Sequence, residues 1–415
     1  MTDESPTVMI IGAGTGGLCL AHGLRASGID VRVFERDRTP ADRLQGYRLN
    51  ISATGNRALA ACLPPKNYRH FAQASARSSR SVAFFDQYLN RLLRIDIPTT
   101  ARASLESERP VSRIALRKVL TEGVEDLIEY GHTFRAFEDA PDGQVLARFA
   151  DGSAAVGDVL VGADGANSRV ARQLLPHARL IDTGVVVISG RFALDAQARR
   201  ETPPAVMCGP TLIVGQPGRF MFASGVEYPP GAVTVDPDEY VMWGISARRE
   251  DFGLVGQPED LDAETARALA LREMQGWDPT LRRMVERADP QFMSCFAVKS
   301  AQPVDAWPTR NVTLLGDALH NMTPYRGMGA NAALRDAAAL RETLVTVAQG
   351  RAQLIPALAA YERDMITTGF AAVRASLADM ERLHAHSPFQ RLATKAVFHL
   401  VDAAPPLQRA FRGRR

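Results

Sequence analysis

The stretch that most limits what this chain can fold into begins at Val8. Val8 to Ile11 is an apolar run, followed directly by Gly12-Ala13-Gly14-Thr15-Gly16-Gly17, in which Gly12, Gly14 and Gly17 fit G-x-G-x-x-G. A short run that is apolar at every position reads as a parallel strand buried on both faces. Leu18, Leu20, Ala21 and Leu24 then recur at helical spacing, and Gly28 supplies a helix stop. A second run, Val31 to Phe34, ends in Glu35, 18 residues beyond Gly17. This unit suits an adenine dinucleotide. Glycines allow the tight turn and close backbone approach, the helix N-terminus faces the pyrophosphate, and Glu35 accepts hydrogen bonds from ribose hydroxyls.

A second strand-turn-helix lies near the other end, from Val312 to Leu334. Gly316 and Asp317 close the strand and leave a carboxylate at its tip, where open α/β sheets bind ligands. A loop with Pro324, Gly327 and Gly329 follows, and Asn331 opens an Ala/Leu-rich helical pattern that runs to about Val347. Glycines before a helix leave backbone N–H groups free beside a partial positive charge, a place for something that becomes negative.

Between these ends, Gly46-Tyr47-Arg48-Leu49 precedes a short helical signal. Residues 81 to 97 read as a hairpin turning near Leu89-Asn90. Val111 to Leu127 reads as a helix carrying Arg113, with Ser112 as a possible cap. Strands over Gln144 to Phe149 and Val156 to Val161 flank Asp151-Gly152, and the second runs into Gly162-Ala163-Asp164-Gly165. From about Leu180 to Phe296 the texture changes. Strand-like segments at 185–194, 211–214, 219–226, 232–235 and 240–247, with a helix from about Ala263 to Val285, suggest an antiparallel sheet and a helix. The remainder after about Gln349 is helical and ends in the basic Arg412 to Arg415.

At 415 residues the chain has ample core for one large or two interleaved domains. A net charge of +3 gives no argument for nucleic acid. Cys19, Cys62, Cys208 and Cys295 are too scattered for a metal site. The start, MTDESPT, lacks the features of a signal peptide, and no run approaches the roughly 18 apolar residues that span a bilayer. The expectation is a reduced, soluble, cytoplasmic protein with no metal and no transmembrane segment.

Three signatures in order (Gly12, Gly14, Gly17 with Glu35; Asp164-Gly165; Gly316-Asp317) resemble the single-component, group A FAD-dependent monooxygenases of the para-hydroxybenzoate hydroxylase type. Gly316-Asp317 continues through His320, Pro324, Gly327, Gly329 and Asn331 in the family's full pattern. The resemblance implies an α/β fold in which a Rossmann-like FAD-binding domain of glutathione-reductase type (1–75, 106–178 and 297–350) is interleaved with an antiparallel-sheet substrate domain (76–105 and 179–296). A C-terminal helical segment (351–415) would pack on the FAD domain, with docking to a membrane or a second subunit as the alternatives.

The resemblance further implies that Asp317 binds a ribityl hydroxyl, and that Arg113 lies on the pyrophosphate and ribityl side. Asp164 would lie near the pyrophosphate, and Arg48 near the mobile flavin. Arg36, Gly327, Gly329 and Asn331 complete the expected cofactor contacts. With one fingerprint only, NADH or NADPH would dock transiently. The implied reaction inserts one oxygen of O2 into an aromatic or polyketide-like molecule, as in secondary metabolism, through a flavin C4a-hydroperoxide. Arg48, His320 and Pro324 are candidates for positioning the flavin, and for His320 a structural role is the expectation. Phe84, Phe220, Phe222, Tyr240, Trp243 and Pro324 are candidates for an apolar substrate pocket. A monomer or homodimer is expected. Baeyer–Villiger insertion, another flavin oxidation, or an FAD-holding binding protein are the alternatives. The W-x-W-x-I-P segment of flavin halogenases is missing, the tryptophans being Trp243, Trp277 and Trp307.

Overall fold

A computed structural model describes residues 6–39, 48–98, 104–232 and 239–404. They divide into two units. The first comprises Met1–Ser75, Arg102–Ile181 and Lys299–Ser376, the second Ala76–Ala101, Asp182–Val298 and Leu377–Arg415. The expected C-terminal segment is therefore no separate unit. Its long helix, Leu354–Leu383, begins in the first unit and ends in the second.

The first unit is built on a five-stranded parallel sheet in the order Val312–Leu314, Val159–Gly162, Val8–Ile11, Val31–Glu35, Ile128–Tyr130. Its central strand is buried at every residue, as an all-apolar run requires when helices cover both faces. Register decides what this sheet does. Ile11 pairs with both Phe34 and Gly162, and Gly162 pairs with Leu314. The strand ends thus share one row, and the turns at Gly12, Asp164 and Gly316 leave the same edge together with Glu35. Helix Thr15–Ala26 packs closely along helix Gly329–Ala348, for a Cβ on Gly16 would lie 2.6 Å from Leu315 Cδ1 and 3.2 Å from Ala333 O.

A short ribbon pairs Arg48–Ile51 with Arg109–Ser112, antiparallel. This corrects the reading of Val111 and Ser112 as helical. The helix runs Arg113–Thr121, and Ser112 precedes it without a side-chain cap bond.

The second unit holds a seven-stranded sheet in the order Ser294–Ala301, Leu180–Ala193, Tyr240–Arg248, Phe220–Val226, Thr211–Val214, Ser81–Asp86, Arg91–Asp96. Thr211–Val214 and Ser81–Asp86 run parallel, so the sheet is mixed. One face buries Ile188, Ile213, Met221, Trp243 and Ile245 against Ala266, Ala270, Met274, Trp277 and Leu281. Those last residues lie on or beside helices Ala263–Glu273 and Pro279–Glu286, which replace the single helix expected there. Gly276 at φ +76° and Asp278-Pro279 break it. The expected hairpin turns at Leu89, which adopts φ +60°. Asp86 holds that turn by accepting from the N–H groups of Tyr88 and Asn90. The expected strand over 232–235 and Gly46-Tyr47 fall essentially outside the described residues.

Candidate functional site

The fingerprint glycines have separate reasons to be glycine. Gly12 sits at φ +109°, and a Cβ there would lie 2.5 Å from Ala163 O in the Asp164-Gly165 turn. A Cβ on Gly17 would lie 2.1 Å from Gly12 O. Gly14 is exposed, and the one atom within reach of its would-be Cβ is 4.0 Å away, so it leaves a bare floor rather than relieving a clash. The first bond of the helix runs from Leu18 N–H to Gly14 O. The N–H groups of Thr15, Gly16 and Gly17 therefore precede the helical ladder, beside the positive end of the dipole, with no side-chain cap.

Glu35 is buried at its strand tip, where it accepts from Ala13 N–H at 2.7 Å and from Asp37 N–H at 3.0 Å. A carboxylate has room for about four donors, so lone pairs remain. Arg36 is exposed. Asp164 spends its oxygens on its own turn, accepting from Ser168 Oγ at 2.5 Å and Arg169 N–H at 2.7 Å. Burial pushes its carboxyl above the ordinary value, against the pull of those bonds. Its place is to shape the wall that Gly12 touches.

Asp317 opens the short helix Asp317–His320, and a Cβ on Gly329 would lie 3.6 Å from its Oδ1. Its side chain is exposed at the strand tip, with protein crowded around it. That crowding raises its pKa, and the nearby charges of His320 and Arg113 pull it back. Arg113 is exposed and makes no hydrogen bond or ion pair among the described residues. Arg48 lies beside it, because Arg48 pairs with Ser112 across the ribbon.

His320 points the other way. Its side chain is fully buried, with Nε2 2.5 Å from Asp336 Oδ2, which also accepts from Gly316 N–H at 3.0 Å. Burial opposes its charge, but Asp336's hydrogen bond and the charges of Asp336 and Asp317 outweigh this and raise its pKa. Its other face is shut by Gly369, whose would-be Cβ lies 2.4 Å from His320 Cδ2. His320 thus braces the Gly316-Asp317 turn.

Asn331 is likewise spent on backbone. Oδ1 accepts from Ser52 N–H at 2.8 Å, and Nδ2 donates to Asn50 O at 2.9 Å and Gly327 O at 3.2 Å. It ties the ribbon to the helix start, which lies at Gly329, two residues before Asn331. Gly327 is left-handed at φ +61°, and Pro324 is exposed at the head of that turn.

In the second unit, strand pairing sorts the expected pocket residues. Phe84, Leu212, Phe222, Gly244 and Ser189 form one row across the sheet, with Phe220 and Ser246 in the next row on the same face. Tyr240 shares that face by alternation along its strand. Trp243 is of opposite parity and lies in the helix-covered core, apart from the others. Phe84 is buried against the Phe398 ring at 4.5 Å. Tyr240 lies beneath the Arg191 guanidinium, 4.7 Å from its ring centre. Phe222, Leu212, Met242 and Gly244 form the partly open part of the face. His384 is buried there, its Nδ1–H donating to Met380 O and its Nε2 accepting from Ser246 Oγ, both at 2.9 Å. Burial pushes His384 down to about 4, so it is neutral at pH 7.

Residues 116–376 match the family model for an FAD binding domain, and residues 10–86 match that for an NAD(P)-binding Rossmann-like domain. The FAD-dependent monooxygenase dbaB of Emericella nidulans is 31% identical over 370 residues, which cover 83% of this chain and 88% of that protein. This chain belongs to the FAD-dependent monooxygenases. A solved structure from Photorhabdus luminescens, assigned as an FAD-containing monooxygenase, superposes with a TM-score of 0.82 and 35% identity over 91% of this chain and 98% of that one. The dual O-methyltransferase/FAD-dependent monooxygenase elcB of Phaeosphaeria nodorum is 32% identical over 377 residues. That alignment covers 82% of this chain and 40% of that relative, so the chain spans about two-fifths of the relative's length.

The residues present in this chain fit FAD. Gly14 leaves an open floor that a side chain would fill, the leading amides of the helix lie outside its ladder, and Asp317 and Arg113 set one acceptor and one cation at the same sheet edge. Sequence reasoning missed Asp336 and Gly369. Both had a signal: Asp336 is a charge within an apolar helical stripe that includes Ala337 and Leu340, and Gly369 is a glycine inside a long helical pattern.

Proposed function

We propose that the chain is an NAD(P)H-consuming hydroxylase that places one oxygen atom of O2 on an aromatic or polyketide-like molecule. In this reading the leading amides of helix Thr15–Ala26 and Arg113 hold the FAD phosphates, and Glu35 accepts from ribose hydroxyls. Asp317 accepts from a ribityl hydroxyl. The N-terminus of helix Gly329–Ala348 steadies negative charge on the reduced ring. FAD, when bound, supplies the activation of O2 with electrons from NAD(P)H. The protein's own part is to bind, orient and keep water out.

The observation that carries the reading is the shared register of Ile11, Phe34, Gly162 and Leu314, which gathers three distant turns at one edge. The face around Phe222, Leu212 and Met242 is apolar and partly open, which suits an apolar ring system as substrate. No accessible base is required of His384, which is buried and hydrogen-bonded at both nitrogens. The test is to purify the protein with its flavin and follow NADH and NADPH oxidation, with peroxide release, against phenols and polycyclic aromatics. Oxidation accelerated by one class of compound with little peroxide is the expected result. A yellow protein that ignores every compound and both nicotinamides would instead favour an FAD-holding binding protein.

A further inference from the structure

The sheet of the second unit holds one glycine with no local reason to be one. Its strands, all within the described residues, contain Gly184, Gly190, Gly225 and Gly244. Gly184 sits at φ +74°. A Cβ on Gly190 would lie 2.9 Å from Trp243 Cζ2, and one on Gly225 would lie 2.9 Å from Met207 Sδ. Gly244 lies in the middle of strand Tyr240–Arg248 and is not left-handed. A Cβ there would meet nothing nearer than Val187 Cγ1 at 3.5 Å, Ser189 Cβ at 3.6 Å and Ile188 O at 3.8 Å, all ordinary contacts. Glycine inside a strand costs stability, and it often marks a place where something else approaches the backbone closely.

The surroundings indicate what approaches. Pairing sets Gly244 between Phe222 and Ser189, on the face turned away from helices Ala263–Glu273 and Pro279–Glu286. Helix Pro388–Ala403 covers the far end of this face, seating Phe398 and Val401 among Val82, Phe84, Leu93 and Ile95. This corrects the expectation that the last helix packs on the FAD-binding unit. The near end stays partly open at Gly244, Phe222, Leu212 and Met242. No charged side chain stands in the row from Phe84 to Ser189, and the row ends in the hydroxyls of Ser189 and Ser294, 2.9 Å apart. Arg191, one row away beside Met242, has its guanidinium 3.6 Å from the Phe292 ring centre. Phe222 and Ser189 flank Gly244 at two strand spacings, roughly 9–10 Å, which is room for fused rings rather than a single one.

We propose that Gly244 determines which substrate the enzyme accepts. A flat, uncharged fused-ring molecule lies face down on the Gly244 backbone, edged by Phe222, with one oxygen substituent at the Ser189 and Ser294 end. A side chain at position 244 would stand under the ring and lift it. The proposal rests on the hydroxylase reading above and narrows its substrate.

The test uses the full chain with its flavin and follows the binding of phenol, 2-naphthol and 1-hydroxyanthraquinone by equilibrium dialysis. The native chain should bind the hydroxyanthraquinone at least about tenfold more tightly than phenol. Gly244→Val should weaken the hydroxyanthraquinone by at least about tenfold and phenol by less than about twofold, with Gly244→Ala in between. FAD affinity should be unchanged and melting no lower than native, since neither the φ nor the space at position 244 requires glycine. Equal binding of the hydroxyanthraquinone by Gly244→Val and the native chain would overturn the proposal. So would a native chain that prefers phenol or binds none of the probes, or variants that lose all the probes in step with FAD. A native chain that binds the hydroxyanthraquinone, loses it in Gly244→Val, yet oxidises neither NADH nor NADPH in its presence would uphold the proposal and overturn the hydroxylase reading alone.

Discussion

Gly369→Ala sets two effects of known size against each other. Alanine in place of glycine inside helix Leu354–Leu383 gains about 1 kcal/mol of helix propensity. The new methyl, however, would lie 2.4 Å from His320 Cδ2, 2.7 Å from Cγ and 3.1 Å from Cβ. That ring cannot yield freely, because Asp336 grips its Nε2 at 2.5 Å in a fully buried place. Overpacking of this kind costs about 1–3 kcal/mol, and loosening a charge-assisted hydrogen bond adds about 1.5–3 kcal/mol. Crowding therefore wins, and the apoprotein should lose roughly 1.5–5 kcal/mol net, read from urea unfolding. Asp317 stands three residues before His320 in the same short helix, so a displaced ring also moves the carboxylate. FAD affinity should fall about tenfold, equivalent to about 1.4 kcal/mol, in a fluorescence titration of the apoprotein. A variant that is more stable and binds FAD as before would refute the reasoning, for it would mean that His320 has slack and does not brace the turn.

Arg113→Ala should weaken FAD by about 10- to 100-fold with the apoprotein's melting unchanged, since the side chain is exposed and makes no hydrogen bond among the described residues. Asp317→Asn should separate binding from stability. Burial raises the Asp317 pKa, so its favourable contribution is present below the ordinary carboxylate value and is lost as pH rises through the folded one. Asparagine should therefore gain apoprotein stability relative to the native chain as pH rises above about 4, and hold that gain at neutral pH, while FAD binds less tightly; melts over pH with a parallel FAD titration check both. Trp243→Ala should cost about 3–5 kcal/mol in denaturant unfolding because it empties a core position. Phe222→Ala, half-exposed on the opposite face, should cost less than about 1.5 kcal/mol and act chiefly on the KM of a turned-over aromatic.

What was legible in the sequence is what depends on local backbone chemistry. Gly12, Gly17 and Gly316 are required by positive φ or by backbone atoms within 2.5 Å or less of a would-be Cβ at the first two, and such positions leave a pattern of their own. The separated strands were readable for the same reason, each being apolar throughout and ending in a Gly/Asp turn. The row shared by Ile11, Phe34, Gly162 and Leu314 is a non-local pairing, and no single segment contains it.

The brace of His320, Asp336 and Gly369 was hidden likewise, because its three members come from three segments that meet only in the fold. Other misses had a visible signal. Tyr240 and Trp243 are an odd number of residues apart on one strand, so alternation alone assigns them to opposite faces. Gly276 and Pro279 announced the break between the two helices. Asn331 looked like a cofactor contact, but all its polar atoms meet the protein's own backbone, a use that sequence spacing does not distinguish.

The most direct measurement is turnover under isotopically heavy O2. The protein is supplied with FAD, NADH or NADPH, and the compound that most accelerates nicotinamide oxidation, and the product is analysed by mass spectrometry. One heavy oxygen atom per product molecule is expected, with none acquired from labelled water. A product that carries no label from O2, with nicotinamide consumption matched by peroxide, would contradict it and leave an FAD oxidoreductase that does not oxygenate.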